Sequence, residues 1–340
     1  MARGGTGAVR FDGRAAVWRE RRADESGEDL GQLSKGSLPE FLNLPPRSRK
    51  PREDGITHVL DRGLGLEEAK VLLEGTTPYV DVVKLGWGTA YLQAATGEKV
   101  AFYQSCDIAV TVGGTLFEIA LAQGRLDKFL SWLRELKIGH LEISDGVRSL
   151  PLAEKLALVR ELKADFRILV EVGSKLPEDR PRESRWGEEA EAVLAAGAWK
   201  VITEGRESGT SGSFFPTGAP REDLLERVVA AVGVENLLFE APRKEQQCWF
   251  IRRYGPGVNL GNVFPGEVIP LETLRCGLRA ETAAELSMPH EDRNEELPYG
   301  EWEICGGRTA TWPSAWEDFG EAGGWPELPA CWNLMGRPKQ

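Results

Sequence analysis

From Ile56 onward the chain alternates short, β-prone apolar runs with longer stretches in which apolar residues recur every three to four positions. The runs are Ile56–Asp61, Val80–Leu85, Asp107–Val112, His140–Ser144, Arg167–Val172, Lys200–Thr203, Leu237–Glu240 and Gly257–Leu260. They begin roughly 20–37 residues apart, the pitch of a β-strand followed by a helix. Between them, Leu126 to Lys137 sets Leu126, Phe129, Leu130, Leu133 and Leu136 along one helical stripe. Leu152–Lys163, Glu188–Ala196, Asp223–Val232 and Gln246–Tyr254 repeat the pattern, each with Gly or Pro nearby in a place that suits a cap. Eight strands alternating with helices predict an α/β fold of the (β/α)8, TIM-barrel type. A doubly wound sheet is the competing arrangement, but no GxGxxG opens a first helix.

The pattern is absent at both ends. Residues 1–40 are rich in Gly, Arg, Asp and Glu without periodicity and predict a flexible arm. A proline-stiffened basic run, Leu44-Pro-Pro-Arg-Ser-Arg-Lys-Pro-Arg52, leads into the first strand and is a candidate source of cations for a site. The barrel is expected over 41–282, and a tail over 283–340. That tail carries Trp302, Trp312, Trp316, Trp325 and Trp332 of the chain's 11 tryptophans, which suggests a strap packed on another surface.

Charge and composition narrow the function classes. A net charge of −11 argues against nucleic acid or an anionic membrane as the main partner. Most of it sits between Ala280 and Gln340, where twelve acidic face four basic residues, so the barrel itself is only mildly acidic. The 5 cysteines form no CxxC and fit a reducing compartment; the 3 histidines share no metal-binding spacing. No apolar run reaches the ~20 residues of a membrane span. The N-terminus lacks a signal-peptide core, so the cytoplasm is expected, with the Arg-rich residues 1–22 leaving organelle targeting open.

In such a barrel the active site lies at the C-terminal ends of the strands. The sixth strand announces it: Lys200–Thr203 runs straight into Glu204-Gly-Arg206-Glu207-Ser208-Gly209. Charges beside a buried strand are costly unless paired or bound to a ligand. The other strand ends supply Asp61, Lys84, Gly114-Thr115, Glu142, Ser144, Glu171, Lys175, Glu240, Asn259 and Asn262. Carboxylates converging on one mouth repel each other unless a cation sits among them. Oxygen donors without His or Cys point to a hard metal, Mg²⁺ foremost, with Glu142, Glu171 and Glu204 on adjacent strands as the expected ligands. Lys84, Lys175, Arg206 and the Gly114-Thr115 turn suit an anionic substrate, with Ser144, Ser208, Asn259 and Asn262 as further contacts.

These motifs resemble the phosphosulfolactate synthase family. The matching strings include Val-Leu-Asp61-Arg-Gly, Val-Lys84-Leu-Gly-Trp-Gly-Thr89, Gly113-Gly-Thr-Leu-Phe-Glu118, Glu142-Ile-Ser-Asp-Gly146, Glu204-Gly-Arg-Glu-Ser-Gly209, Phe-Glu240-Ala-Pro and Val-Asn259-Leu-Gly-Asn262. The resemblance runs from Lys50 to about Thr282. It implies a Mg²⁺-dependent barrel that adds sulfite to phosphoenolpyruvate, giving (2R)-phospho-3-sulfolactate, the first step towards coenzyme M in methanogens. It implies Lys175 as the general acid, where the family often has two adjacent lysines and this chain has Ser174-Lys175. Lys84, Arg206 and Asp61 complete the expected catalytic set, and a homo-oligomer, a trimer in the family, is the expected assembly. Two alternatives stand beside this reading. One is a non-catalytic barrel akin to the plant heat-stress-associated proteins, acting by protein interaction. The other is an imine-forming barrel enzyme with Lys84 or Lys175 as nucleophile.

Overall fold

The computed structural model describes residues 41–147, 150–173 and 185–288 in full. It also gives the backbone of four short strands near the ends. The chain divides into two units, Met1–Asn43 and Leu44–Gln340. In the first, Val9–Phe11 pairs antiparallel with Arg14–Ala16; in the second, Trp302–Ile304 pairs antiparallel with Arg308–Ala310. The rest of the predicted arm and nearly all of the predicted Trp-rich tail lie outside the described residues.

Eight parallel strands close into a barrel. They are β1 Thr57–Asp61, β2 Val82–Leu85, β3 Ala109–Gly113, β4 His140–Ile143, β5 Arg167–Val172, β6 Lys200–Thr203, β7 Leu237–Glu240 and β8 Leu260–Val263. Each pairs with the next in sequence, and β8 closes on β1. The period of two sorts their side chains. Val59, Val83, Val110, Leu141, Val170, Val201 and Phe239 face outward into the main core beneath the helices. The helix Leu126–Glu135 buries Phe129, Leu130 and Leu133 there, as its stripe predicts.

Inside the barrel, Ile56, Val82, Leu169, Ile202 and Leu238 form a second, separate apolar cluster. Two residues further along four of those strands stand Lys84, Glu171, Glu204 and Glu240. One period of the pleat thus turns an aliphatic floor into a charged mouth. His58 lies buried on the same inner side.

The last strand begins later than its apolar run predicts. Asn259 was expected at the mouth, yet it lies at the opposite, N-terminal end of the strands. Its Oδ1 accepts the Ile56 N–H at 3.0 Å, and its Nδ2 donates to the Leu237 carbonyl at 2.8 Å. The amide side chain thereby ties the floor to both neighbouring strands, while the Asn259 carbonyl accepts the Phe239 N–H at 3.0 Å and the strand proper runs from Leu260. Between Leu260 and Val263 the register with β1 shifts. The extra residue is a bulge, with Asn262 in the left-handed region at φ 54°.

The basic run before β1 does not supply the mouth. Arg52 pairs with Asp81 at 2.8 Å and Arg47 with Glu272 at 2.7 Å. Asp81 also accepts the Thr57 N–H at 2.9 Å, so this charge cluster braces the barrel floor. The buried Arg275 guanidinium donates to the Pro256 and Val258 carbonyls, both at 2.6 Å, and seals the same end.

Candidate active site

The C-terminal ends of the strands surround a cavity of about 290 Å³, at the small end of sites for small molecules. Lys84, Gly114, Thr115, Glu142, Glu171, Glu204, Arg206 and Asn262 line it, as expected. Glu207, Glu240, Leu60 and Trp87 line it too. Glu240 was legible in the sequence: Leu238-Phe-Glu240 repeats the spacing of Leu169-Val-Glu171 and Ile202-Thr-Glu204.

Lys84 is the hub. Its ammonium lies 2.7 Å from Glu142 Oε1 and 3.7 Å from Glu240 Oε1. Burial acts to lower its pKa, but the carboxylates of Glu142, Glu240 and Glu171 outweigh it and hold the lysine well above its usual range. A lysine held in its charged form is disfavoured as an imine-forming nucleophile. Glu240 reaches further, because its Oε2 accepts the N–H groups of Gly205 and Arg206, both at 3.0 Å. Arg206 is held in the left-handed region at φ 56°, its N–H also meeting Glu204 Oε1 at 2.7 Å. Two glycines make these close approaches. A Cβ on Gly113 would lie 2.1 Å from the Glu142 carbonyl, and one on Gly212 equally close to that of Glu204.

Burial, reinforced by Glu171 and Glu240 and opposed by Lys84, raises the Glu142 carboxyl above its ordinary range. Glu142 Oε2 and Asn262 Oδ1 are buried without a hydrogen-bond partner among the described residues. Carboxylates in excess of cations, with unused oxygen donors, fit a hard divalent cation. The expected cage is not assembled, however. Among the described residues no three His, Cys, Asp or Glu side chains stand close enough to hold a metal, and Lys84 has taken Glu142.

Besides Asn259, three expected site residues lie off the cavity. Asp61 is fully buried, 2.9 Å from Lys99 Nζ and 3.0 Å from the Tyr103 hydroxyl. It accepts the N–H groups of Gly63 and Leu64, both at 2.8 Å, and so shapes the loop after β1. The Ser144 hydroxyl donates to Glu118 Oε1 at 2.5 Å. Glu118 also accepts the Gly146 and Val147 N–H groups, pinning the loop after β4 from the helix Thr115–Ala122. Ser208 is exposed, its hydroxyl 2.7 Å from that of Thr210. Lys175 lies outside the described residues, two positions past Gly173.

The (2R)-phospho-3-sulfolactate synthase (ComA) family profile matches residues 45–281, the whole of this barrel. The chain belongs to the phosphosulfolactate synthase family. It is 41% identical over 262 residues to the phosphosulfolactate synthase of Methanothermobacter thermautotrophicus, a match covering 73% of this chain and 98% of that protein. It is 39% identical over 244 residues to that of Bacillus subtilis, covering 71% and 97%. A weaker likeness, 26% over 270 residues, joins it to the Arabidopsis thaliana protein HEAT-STRESS-ASSOCIATED 32, covering 69% and 90%. Among the described residues no helix is long and apolar enough to cross a membrane.

Proposed function

We propose that this protein is a carbon–sulfur lyase of the phosphosulfolactate synthase type, adding sulfite to phosphoenolpyruvate. The observation that carries the reading is family membership across the residues that build the mouth. The sulfite sulfur forms a bond to the methylene carbon, and the π electrons of the double bond move through the central carbon onto the carboxylate. A proton then reaches the central carbon, and the phosphate ester is retained as phospho-3-sulfolactate.

Charge develops on the carboxylate oxygens, so fixed cations aimed there lower the barrier. Lys84 is suited to that task because Glu142 and Glu240 hold it charged and in place. Arg206, rigidly presented by its backbone, adds a second cation. Lys175 is the proposed proton donor, on the strength of the family resemblance. Mg²⁺ is the proposed metal. For Glu142, Glu171 and Glu204 to hold it they would have to draw together, and Glu142 would have to leave Lys84. The metal would then supply Lewis acidity at the substrate carboxylate. The same reading makes the protein a cytoplasmic homo-oligomer, which light scattering after size exclusion tests.

The test of the reaction is ³¹P NMR of phosphoenolpyruvate with sulfite and Mg²⁺. A new phosphate-ester resonance that requires sulfite, metal and protein is expected, and Lys175→Ala should abolish it. Product from both proteins would keep the reaction and reassign the proton donor. No product from folded protein at any metal concentration would overturn the reading in favour of a binding role.

A further inference from the structure

The cavity presents a charge problem for its proposed substrate. Among the described residues, five carboxylates line it (Glu142, Glu171, Glu204, Glu207 and Glu240) against two cations, Lys84 and Arg206. Lys84 is already engaged by Glu142 and Glu240. A substrate with both a phosphate and a carboxylate must approach this mouth against like charge.

Arg62 does not line the cavity itself, but it is exposed beside Trp87, which does. It follows Asp61 at the end of β1, and its guanidinium lies between two rings, 4.2 Å from the centroid of Phe264 and 5.2 Å from that of Trp87. Those rings follow β8 and β2, so the arrangement spans three neighbouring strand ends. Trp87 itself lines the cavity and is held in the left-handed region at φ 56°, a strained setting for a large aromatic residue. Asp61 fixes the loop beneath through Gly63 and Leu64. Among the described residues Arg62 makes no hydrogen bond or ion pair, unlike Lys84. The guanidinium lies within cation–π distance of both rings, and its donors have no protein partner among the described residues. A stacked guanidinium loses little freedom when it takes an oxyanion in a forked grip.

We propose that Arg62 is an anion receptor on the rim of the mouth, oriented by Trp87 and Phe264, that binds the phosphate or carboxylate of the incoming substrate. This rests on the reading of the substrate given above. Its test compares the full chain with Arg62→Gln, Arg62→Lys and Phe264→Leu. Arg62→Gln should raise the KM for phosphoenolpyruvate at least about tenfold, the loss expected of one charge-assisted contact. The KM for sulfite should move far less. Arg62→Lys should recover only part of the loss, because an ammonium lacks the fork, and Phe264→Leu should give a smaller rise.

Titration calorimetry with inorganic phosphate and with oxalate, on the same proteins without sulfite, separates the two anions. Weakening of phosphate alone assigns the grip to the phosphate, and weakening of oxalate alone to the carboxylate. This binding arm holds even if the protein makes no product, so a failure of the reaction and a failure of Arg62 are distinguishable. Unchanged KM and unchanged binding of both anions in folded Arg62→Gln protein would overturn the proposal.

Discussion

Lys84 is the single side chain on which most of the mouth depends. Replacing it with Met leaves Glu142 and Glu240 buried and uncompensated. A loss of about 3–5 kcal/mol in denaturant unfolding at pH 8 is expected, with turnover down at least about a hundredfold. Glu142, already raised by burial, takes up a proton more readily without its lysine. The deficit should therefore shrink when the same unfolding is repeated at pH 5.5; a deficit that grows on acidification would contradict this account. His58 gives the opposite pH signature. Burial, aided by Lys84 and His140, pushes its imidazole down to about 3, while an unfolded histidine takes up a proton near its ordinary ~6.5. Stability is thus complete above that ordinary value and falls as the pH drops towards 3. The loss from His58 alone is roughly 3 kcal/mol by pH 4. A His58→Leu variant should show a flatter decline between pH 7 and pH 4, whatever its stability at neutral pH. At this scale the sequence told which residue types meet, but not which carboxylate takes which cation. Asp61 reads as a site residue until Lys99 and Tyr103, contributed by a helix some forty positions on, are seen to enclose it.

Elements were more legible than contacts. Seven of the eight apolar runs fall on their strands within a few residues, because outward aliphatics and inward alternation both favour the pleat. The eighth run ends where its strand begins: the Asn259 side chain bonds the backbone of both neighbouring strands at the floor, which no periodicity reports. The loops depend on single clamps of this sort. Glu118 alone satisfies one hydroxyl and two backbone N–H groups of the loop after β4. Glu118→Ala should cost about 2–4 kcal/mol by leaving them unsatisfied and should raise amide exchange at Gly146 and Val147. Glu118→Gln, which keeps one acceptor, should recover part of both. Exchange unchanged in the Ala variant would show that the loop is held by something else.

At the scale of the molecule, the ring of strands closes between Thr57 and Val263, and the floor is sealed by Arg47, Arg52 and Arg275 from just outside that span. A chain cut to residues 44–288 should therefore keep its far-ultraviolet spectrum and turn over sulfite within about threefold of the full chain; collapse of the spectrum would show that the ends are needed for folding. The barrel could be foreseen because it rests on repetition, whereas the ends lack any repeat from which to argue. That repetition has one more effect. Lys84, Glu171, Glu204 and Glu240 each stand one step above an aliphatic residue that fills the floor, on strands whose opposite faces hold the helices. Tasks that other folds blend within one core are kept here on separate sides of the same ribbon. A lineage could rewrite the mouth, one inward position at a time, without renegotiating how the helices pack. The architecture gives chemistry and scaffold separate histories.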